Sequence, residues 1–131
     1  MSPSTLAERL RSVVEGAPAD LVAVYLYGSR ARGTASRASD IDLGLLLQEA
    51  PPPELRSTAR RIESEVERAV HLPVEAVVLN TASADLIHRV LRDGILLVDR
   101  DRPARIRFEI RARNEYFDLA PIRRLYRRIP A

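Results

Sequence analysis

Two apolar runs stand out along the chain, and each predicts a buried β-strand. Leu21–Tyr27 is apolar or aromatic throughout, as expected of a strand whose two faces are both covered. Ile41–Leu47 is a second run of this kind, interrupted only by Asp42 and Gly44. Shorter runs predict a third strand over residues 74–79 and an edge strand over residues 95–98.

Between these runs, apolar residues recur every three or four positions and predict amphipathic helices. Thr5 and Glu8 have the spacing of a capping box and predict the start of a first helix. The most regular stripe lies in residues 54–70, Ser83 can cap a shorter helix, and residues 102–120 predict a final helix. This alternation predicts an α/β (α+β) fold, in which helices flank a mixed β-sheet and one helix lies at the C-terminus.

Length and composition narrow the class of protein. A chain of 131 residues fits a single domain over residues 1–131. The longest apolar run is far shorter than the ~20 residues that cross a bilayer, so we expect a cytoplasmic protein without a membrane anchor. The absence of cysteine excludes disulfides and thiolate metal sites, and the absence of lysine excludes Schiff-base chemistry.

Positive charge is concentrated near the C-terminus. Residues 1–100 contain 12 arginines and 14 acidic residues, a net charge of −2, whereas residues 101–131 contain 9 arginines and 4 acidic residues, a net charge of +5. Such a segment favours, as an alternative function, a non-catalytic module that masks a partner or binds nucleic acid. Acidic residues are interspersed and no base-stacking platform is evident, so we do not expect direct nucleic-acid binding.

Two aspartates at the second strand indicate a metal site. Side chains two positions apart on a strand share a face, so Asp40 and Asp42 are predicted to lie together. At a separation of ~6.5 Å, two such charges repel each other by about 2.5 kcal/mol at an effective dielectric constant of ~20. A bound Mg²⁺ relieves this repulsion, because it usually takes one or two carboxylates together with water and substrate phosphate. Gly44 is expected to keep this face open.

The end of the first strand provides a predicted seat for that phosphate. Gly28 allows close approach of the backbone, and the Ser29 hydroxyl can donate to a phosphate oxygen. Arg30, Arg32 and Arg37 add positive charge to the same loop. We therefore predict a nucleotide or phosphate site that is formed by this loop and completed by the metal.

The segment GSRARGTASRASDID, residues 28–42, resembles a known signature. The nucleotidyltransferase superfamily that includes DNA polymerase beta and the kanamycin nucleotidyltransferases carries Gly-Ser, about ten residues, and then Asp-x-Asp. The likeness extends through VEAVVLN, HRVLRDGILLVDRD and RFEIRARNEYFDL to the minimal nucleotidyltransferases (MNT proteins), in particular the adenylyltransferase antitoxins paired with HEPN toxins. It implies a polymerase beta-like nucleotidyltransferase fold.

The resemblance also implies an activity, namely Mg²⁺-dependent transfer of AMP from ATP to a hydroxyl with release of pyrophosphate. Asp40, Asp42 and Glu75 are the implied catalytic and metal-binding residues, with Glu75 at a position where the family usually has aspartate. Gly28 and Ser29 are implied to hold the outer phosphates of ATP. In the antitoxin branch the acceptor is a tyrosine of the HEPN ribonuclease toxin, which the modification silences. An adenylyltransferase that acts on a small molecule is a further alternative.

Overall fold

The structure is a computed structural model that describes residues 1–36, 38–50, 57–118 and 121. Along the chain its elements are α1 (Pro3–Val14), β1 (Leu21–Tyr27), α2 (Ser29–Arg32), β2 (Ile41–Leu47), α3 (Ser57–Val70), β3 (Val74–Val78), a 3₁₀ turn (Leu79–Thr81), α4 (Ala84–Asp93), β4 (Ile95–Asp99) and α5 (Arg102–Asp118). Arg37, the predicted helix start at residue 54 and the arginines of residues 122–131 lie outside the described residues. Among the residues described, no helix is long and apolar enough to span a membrane.

The four strands form one mixed sheet in the order β3-β2-β1-β4. β1 is antiparallel to both β2 and β4, whereas β2 and β3 are parallel and are joined by the crossover helix α3. The predicted α/β (α+β) class is therefore confirmed, with α5 as the C-terminal helix. β1 and β2 are the two central strands, which explains why their sequences are almost continuously apolar.

Helices cover both faces of the sheet and create two apolar layers. On one face, Leu10 of α1 and Val66 of α3 are buried in a cluster with Leu43 of β2. On the other face, Val90 of α4 and Phe108 of α5 are buried in a second cluster. Alternate residues of the central strands therefore contribute to different layers.

The start of α1 differs from the prediction. The helix begins at Pro3, and the Thr5 amide donates a hydrogen bond to Ser2 Oγ at 3.2 Å. Proline suits the first turn of a helix, because an amide hydrogen there would have no partner within the helix. The capping box at Thr5 was therefore wrong, whereas the predicted cap at Ser83 is confirmed by the 3.2 Å bond from the Leu86 amide to Ser83 Oγ.

The outer edge of β3 is closed by two glutamates of α3. Glu63 Oε1 accepts from the Ala76 amide at 2.9 Å, and Glu67 Oε1 accepts from the Val74 amide at 3.1 Å. An edge strand otherwise exposes unpaired backbone groups. These two bonds therefore hold β3, and with it Glu75, against α3.

Gly44 has a different role from the one predicted. It is buried, and a Cβ at this position would lie 3.1 to 3.3 Å from the side-chain carbons of Leu79. The 3₁₀ turn that follows β3 packs Leu79 onto the sheet at this point. Gly44 therefore makes room for a core side chain and does not leave the carboxylate face open.

Candidate active site

Three polar side chains lie next to one another across three strands, at one end of the sheet. In the antiparallel pair of β1 and β2, Tyr27 is opposite Asp42, and in the parallel pair of β2 and β3, Asp42 is opposite Glu75. Residues in register on neighbouring strands point to the same face of a sheet. We call Tyr27, Asp42 and Glu75 the polar row.

The backbone at Gly28 lies directly against the Asp42 carboxylate. Gly28 has φ 72° and ψ −158°, a conformation essentially restricted to glycine. A Cβ at this position would overlap with Asp42 Oδ2 and lie 3.3 Å from Asp42 Cγ. Ser29 follows as the first residue of α2, whose turn is closed by the Ala31 and Arg32 amides donating to the Gly28 carbonyl at 3.1 Å. The predicted Gly-Ser bend and the second aspartate of the motif are thus brought together.

Negative charge accumulates around Asp42. Partial burial raises the pKa of its carboxyl group, and the charges of Glu75 and then Asp40 raise that pKa further. The Arg32 guanidinium acts in the opposite direction. Asp40 is exposed and lies immediately before β2. Glu75 and Asp40 therefore both lie within electrostatic reach of Asp42.

The carboxylates have the donor chemistry that a hard cation requires. Within residues 1–36, 38–50 and 57–118, no three histidine or acidic side chains form a metal site by themselves. Mg²⁺ commonly takes only one or two protein carboxylates and completes its octahedral shell with water and substrate phosphate. A cation beside Asp40 and Asp42 also offsets the repulsion that raises the Asp42 pKa. The residues present therefore fit a Mg²⁺ ion whose coordination is completed by a nucleotide.

The two predicted phosphate-binding arginines on α2 have different surroundings. Arg32 is exposed, and its charge acts on Asp42. Arg30 is partly buried and donates from Nε and Nη2 to the Ser39 carbonyl, at 3.3 and 3.0 Å. Arg32 is thus accessible to a ligand from solvent, whereas Arg30 is directed towards the loop that leads into Asp40.

Tyr27 and Arg89 were not predicted as site residues. Tyr27 ends the run that was predicted to be covered on both faces, but it is only partly buried. Burial together with the charges of Asp42 and Glu75 raises its pKa to about 12. Arg89 of α4 acts in the opposite direction on that pKa. The position of Tyr27 directly before Gly28 was the available signal, but its pairing with Asp42 depends on the strand register. Arg89 had no signal, because only the packing of α4 on the sheet brings it near.

Comparison with known proteins identifies a family. Residues 8–103 match the family model described as polymerase beta, nucleotidyltransferase. This range includes the Gly28 to Asp42 segment and Glu75. No curated protein matches the chain significantly.

Solved structures share the fold. A crystal structure of a toxin–antitoxin with AMP-PNP is 22% identical, with a TM-score of 0.76 over 92% of this chain and 94% of that chain. A rebuilt structure of a tri-AMPylated Shewanella oneidensis HEPN toxin in complex with an MNT antitoxin is 18% identical, with a TM-score of 0.71 over 95% and 94% of the two chains. A structure described as a minimal nucleotidyltransferase is 28% identical, with a TM-score of 0.58 over 72% and 95%.

The family model covers most of the chain, and the fold is shared with solved structures that include a complex of a HEPN toxin with an MNT antitoxin. The matched range contains the residues that the sheet gathers at the polar row and the Gly-Ser bend. This chain therefore belongs to the DNA polymerase beta-like nucleotidyltransferase family.

Proposed function

We propose that this protein is a Mg²⁺-dependent adenylyltransferase that transfers AMP from ATP to a tyrosine of a partner HEPN toxin and thereby acts as its antitoxin. The observation that carries the proposal is the position of Asp42, which lies against Gly28 and in register with Glu75. A glycine-serine bend and a carboxylate cluster at one end of the sheet are what a magnesium-bound triphosphate needs.

Asp40, Asp42 and Glu75 are the proposed residues around the cation. Mg²⁺, when bound, would neutralise charge on the triphosphate and on the departing pyrophosphate. The Asp42 carboxylate lies against the Gly28 backbone, and strand pairing keeps Asp42 in register with Glu75 of β3, so the fold itself brings these groups together. Asp40 is exposed, and its carboxylate would be a second ligand of the cation.

The phosphate groups are proposed to contact the start of α2. The Ser29 hydroxyl donates to a phosphate oxygen, and Gly28 permits a close approach because it carries no side chain. Arg32 is exposed beside these two residues and attracts the negative charge of the phosphates. These groups orient the triphosphate, and orientation with charge stabilisation supplies most of the catalysis in phosphoryl transfer.

In the proposed reaction the acceptor oxygen attacks the α-phosphorus of ATP. The bond from that phosphorus to the oxygen bridging to the β-phosphate breaks, and pyrophosphate leaves. Glu75 is exposed and adjacent to Asp42, so its carboxylate can orient the acceptor hydroxyl and accept its proton. The Tyr27 hydroxyl has a pKa of about 12 and stays protonated at neutral pH, so it can donate a hydrogen bond but cannot serve as the base.

A protein acceptor is supported by the accessibility of the site and by the related structures. Asp40 and Glu75 are exposed, so a tyrosine presented by another protein can reach them from solvent. One related structure contains AMP-PNP, and another contains a tri-AMPylated HEPN toxin with an MNT antitoxin. A HEPN protein is therefore the proposed partner.

The binding-module alternative depends on positive charge along α5, and part of that charge is paired. Arg105 lies 3.0 Å from Asp99 and 3.1 Å from Glu109, and Arg113 lies 3.8 Å from Glu109. Local pairing reduces the charge that the described part of α5 can offer to nucleic acid or to an acidic partner. This observation favours the enzymatic proposal.

The test is incubation with Mg²⁺, ATP labelled in the α-phosphate, and the protein encoded by the adjacent gene. We expect label on that protein, no label with the Asp42→Asn variant, and no label when the acceptor tyrosine is replaced by phenylalanine. ATP labelled in the γ-phosphate is the matched control and should transfer nothing.

Three results would count against the proposal. An unlabelled partner, in an assay where a known adenylyltransferase is active, would rule out the protein acceptor. Label on a hydroxylated metabolite alone would favour the small-molecule alternative. RNA binding that falls steeply with salt and is unchanged by Asp42→Asn would favour the binding module.

A further inference from the structure

Arg30 connects the two halves of the site. Its side chain leaves the first turn of α2 and donates from Nε at 3.3 Å and from Nη2 at 3.0 Å to the carbonyl of Ser39. Ser29 precedes Arg30 in the chain, and Asp40 follows Ser39. The Arg30 side chain therefore links the turn that begins at Ser29 to Ser39, the residue that precedes Asp40.

The backbone on both sides of Asp40 is held by long-range contacts. On one side the Ser39 carbonyl accepts from Arg30, and on the other the Ile41 amide donates to the Pro73 carbonyl at 2.8 Å, just before β3. The Ser39 amide is also bonded within the loop, to the Ser36 carbonyl at 3.2 Å. Asp40 is exposed and lies outside the strand, and these bonds hold the backbone on either side of it.

We infer that Arg30 is a positioning residue that sets the distance between the phosphate seat at Ser29 and the carboxylate of Asp40. This inference rests on the proposed function, and it differs from the sequence prediction that Arg30 binds phosphate. The planar guanidinium directs two donors onto one carbonyl oxygen, which the single ammonium of lysine cannot reproduce. Lysine would, in contrast, keep the charge that a phosphate ligand requires.

Arg30→Lys and Arg30→Gln, with Arg32→Lys and Arg32→Gln as matched variants, separate the two roles. Hydrogen exchange at the Ser39 and Ile41 amides and the Mn²⁺ affinity of the protein without ATP are measured first, since neither depends on transfer. We expect both Arg30 variants to exchange about tenfold faster at these amides and to bind Mn²⁺ more weakly, since a charge-assisted bond is lost. The Arg32 variants should leave this exchange unchanged.

The kinetic split provides an independent readout. Both Arg30 variants should lower kcat and leave the KM for ATP within about twofold, since geometry is lost but no substrate contact is removed. Arg32→Gln should raise the KM for ATP. The inference would be overturned if Arg30→Lys kept the exchange rates and the Mn²⁺ affinity of the wild type, and if only Arg30→Gln raised the KM for ATP. Arg30 would then be a phosphate ligand. A wild-type protein that transfers no AMP would refute the proposed function, whereas the exchange and Mn²⁺ measurements would still decide the role of Arg30.

Discussion

Replacing Gly28 by alanine places a methyl group where the Asp42 carboxylate lies. The added Cβ would overlap with Asp42 Oδ2 and would also lie 3.3 Å from Cγ and 3.5 Å from Cβ of Asp42. The overlap is with the carboxylate oxygen, Cγ is a tight contact and Cβ an ordinary one, so the Asp42 carboxylate has to move away. The backbone is strained as well, because φ 72° with ψ −158° is a conformation that residues with side chains rarely adopt.

Gly28→Ala is expected to lower the stability of the fold moderately and the rate of AMP transfer strongly. Holding a non-glycine residue in this region costs about 1–3 kcal/mol, and each kcal/mol corresponds to roughly 4 °C in the Tm of a domain of this size. A displacement of about 1 Å in a catalytic group can reduce the rate about 100-fold. Gly28→Ala should therefore remain folded but lose most of its AMP transfer and its Mn²⁺ affinity.

Two other glycines are matched controls for Gly28→Ala. Gly33 also has a positive φ, 77°, but a Cβ there would meet only Pro3 Cγ at 3.5 Å, an ordinary contact. Gly33→Ala should cost about 1–2 kcal/mol in unfolding free energy and leave Mn²⁺ affinity intact. Gly16→Ala has no neighbouring atom within 4 Å of the new Cβ and should change neither quantity. Equal Mn²⁺ affinities in Gly28→Ala and Gly33→Ala would refute the reasoning.

Three further predictions concern charge and hydrogen bonding. Burial and neighbouring charges raise the Asp42 pKa on folding, so ionised Asp42 destabilises the metal-free fold as pH rises through that pKa. In thermal melts without metal, Asp42→Asn should have a higher Tm than the wild type at about pH 8, and this difference should disappear toward about pH 4. A lower Tm for Asp42→Asn at about pH 8 would contradict the explanation that the charge of Asp42 destabilises the fold. Tyr25→Phe removes the 2.8 Å bond from the buried Tyr25 hydroxyl to Glu109 Oε1 and should cost about 1.5–3 kcal/mol in urea unfolding, with label transfer unchanged. Asn80→Ala removes the bonds of 2.9 and 2.8 Å to the Leu47 amide and carbonyl, and should cost about 1–3 kcal/mol by the same assay; a value near zero would mean that water replaces the side chain.

Much of the fold could be predicted from the pattern of the chain. β1 and β2 have the predicted bounds, because burial on both faces leaves an uninterrupted apolar run. Ser83 was correctly identified as a cap, because a side chain that bonds an amide three residues away is a local feature. The predicted start of α1 was wrong because Ser2 and Thr5 can both cap a helix. Spacing alone does not show that Ser2, which precedes a proline, is the actual cap.

The candidate site was predictable in part. The spacing of the Gly-Ser bend and the aspartates indicated a phosphate and metal site, since strand alternation and donor chemistry follow from residue type. The contact of Arg30 with Ser39 and the burial of Gly44 under Leu79 were not predicted. Both depend on segments that meet only after the chain has folded.

By itself, the sequence determined which segments become buried strands and helices and which side chains can coordinate a cation or donate to a phosphate. Only the tertiary structure decided the strand order and the register that puts Tyr27, Asp42 and Glu75 in one row. The physical reason is that strands pair through backbone groups that nearly every residue carries, so many registers satisfy the same hydrogen bonds. α3 packs on one face of the sheet, and α4 and α5 pack on the other. This packing selects one register, through contacts between residues that are far apart in the chain.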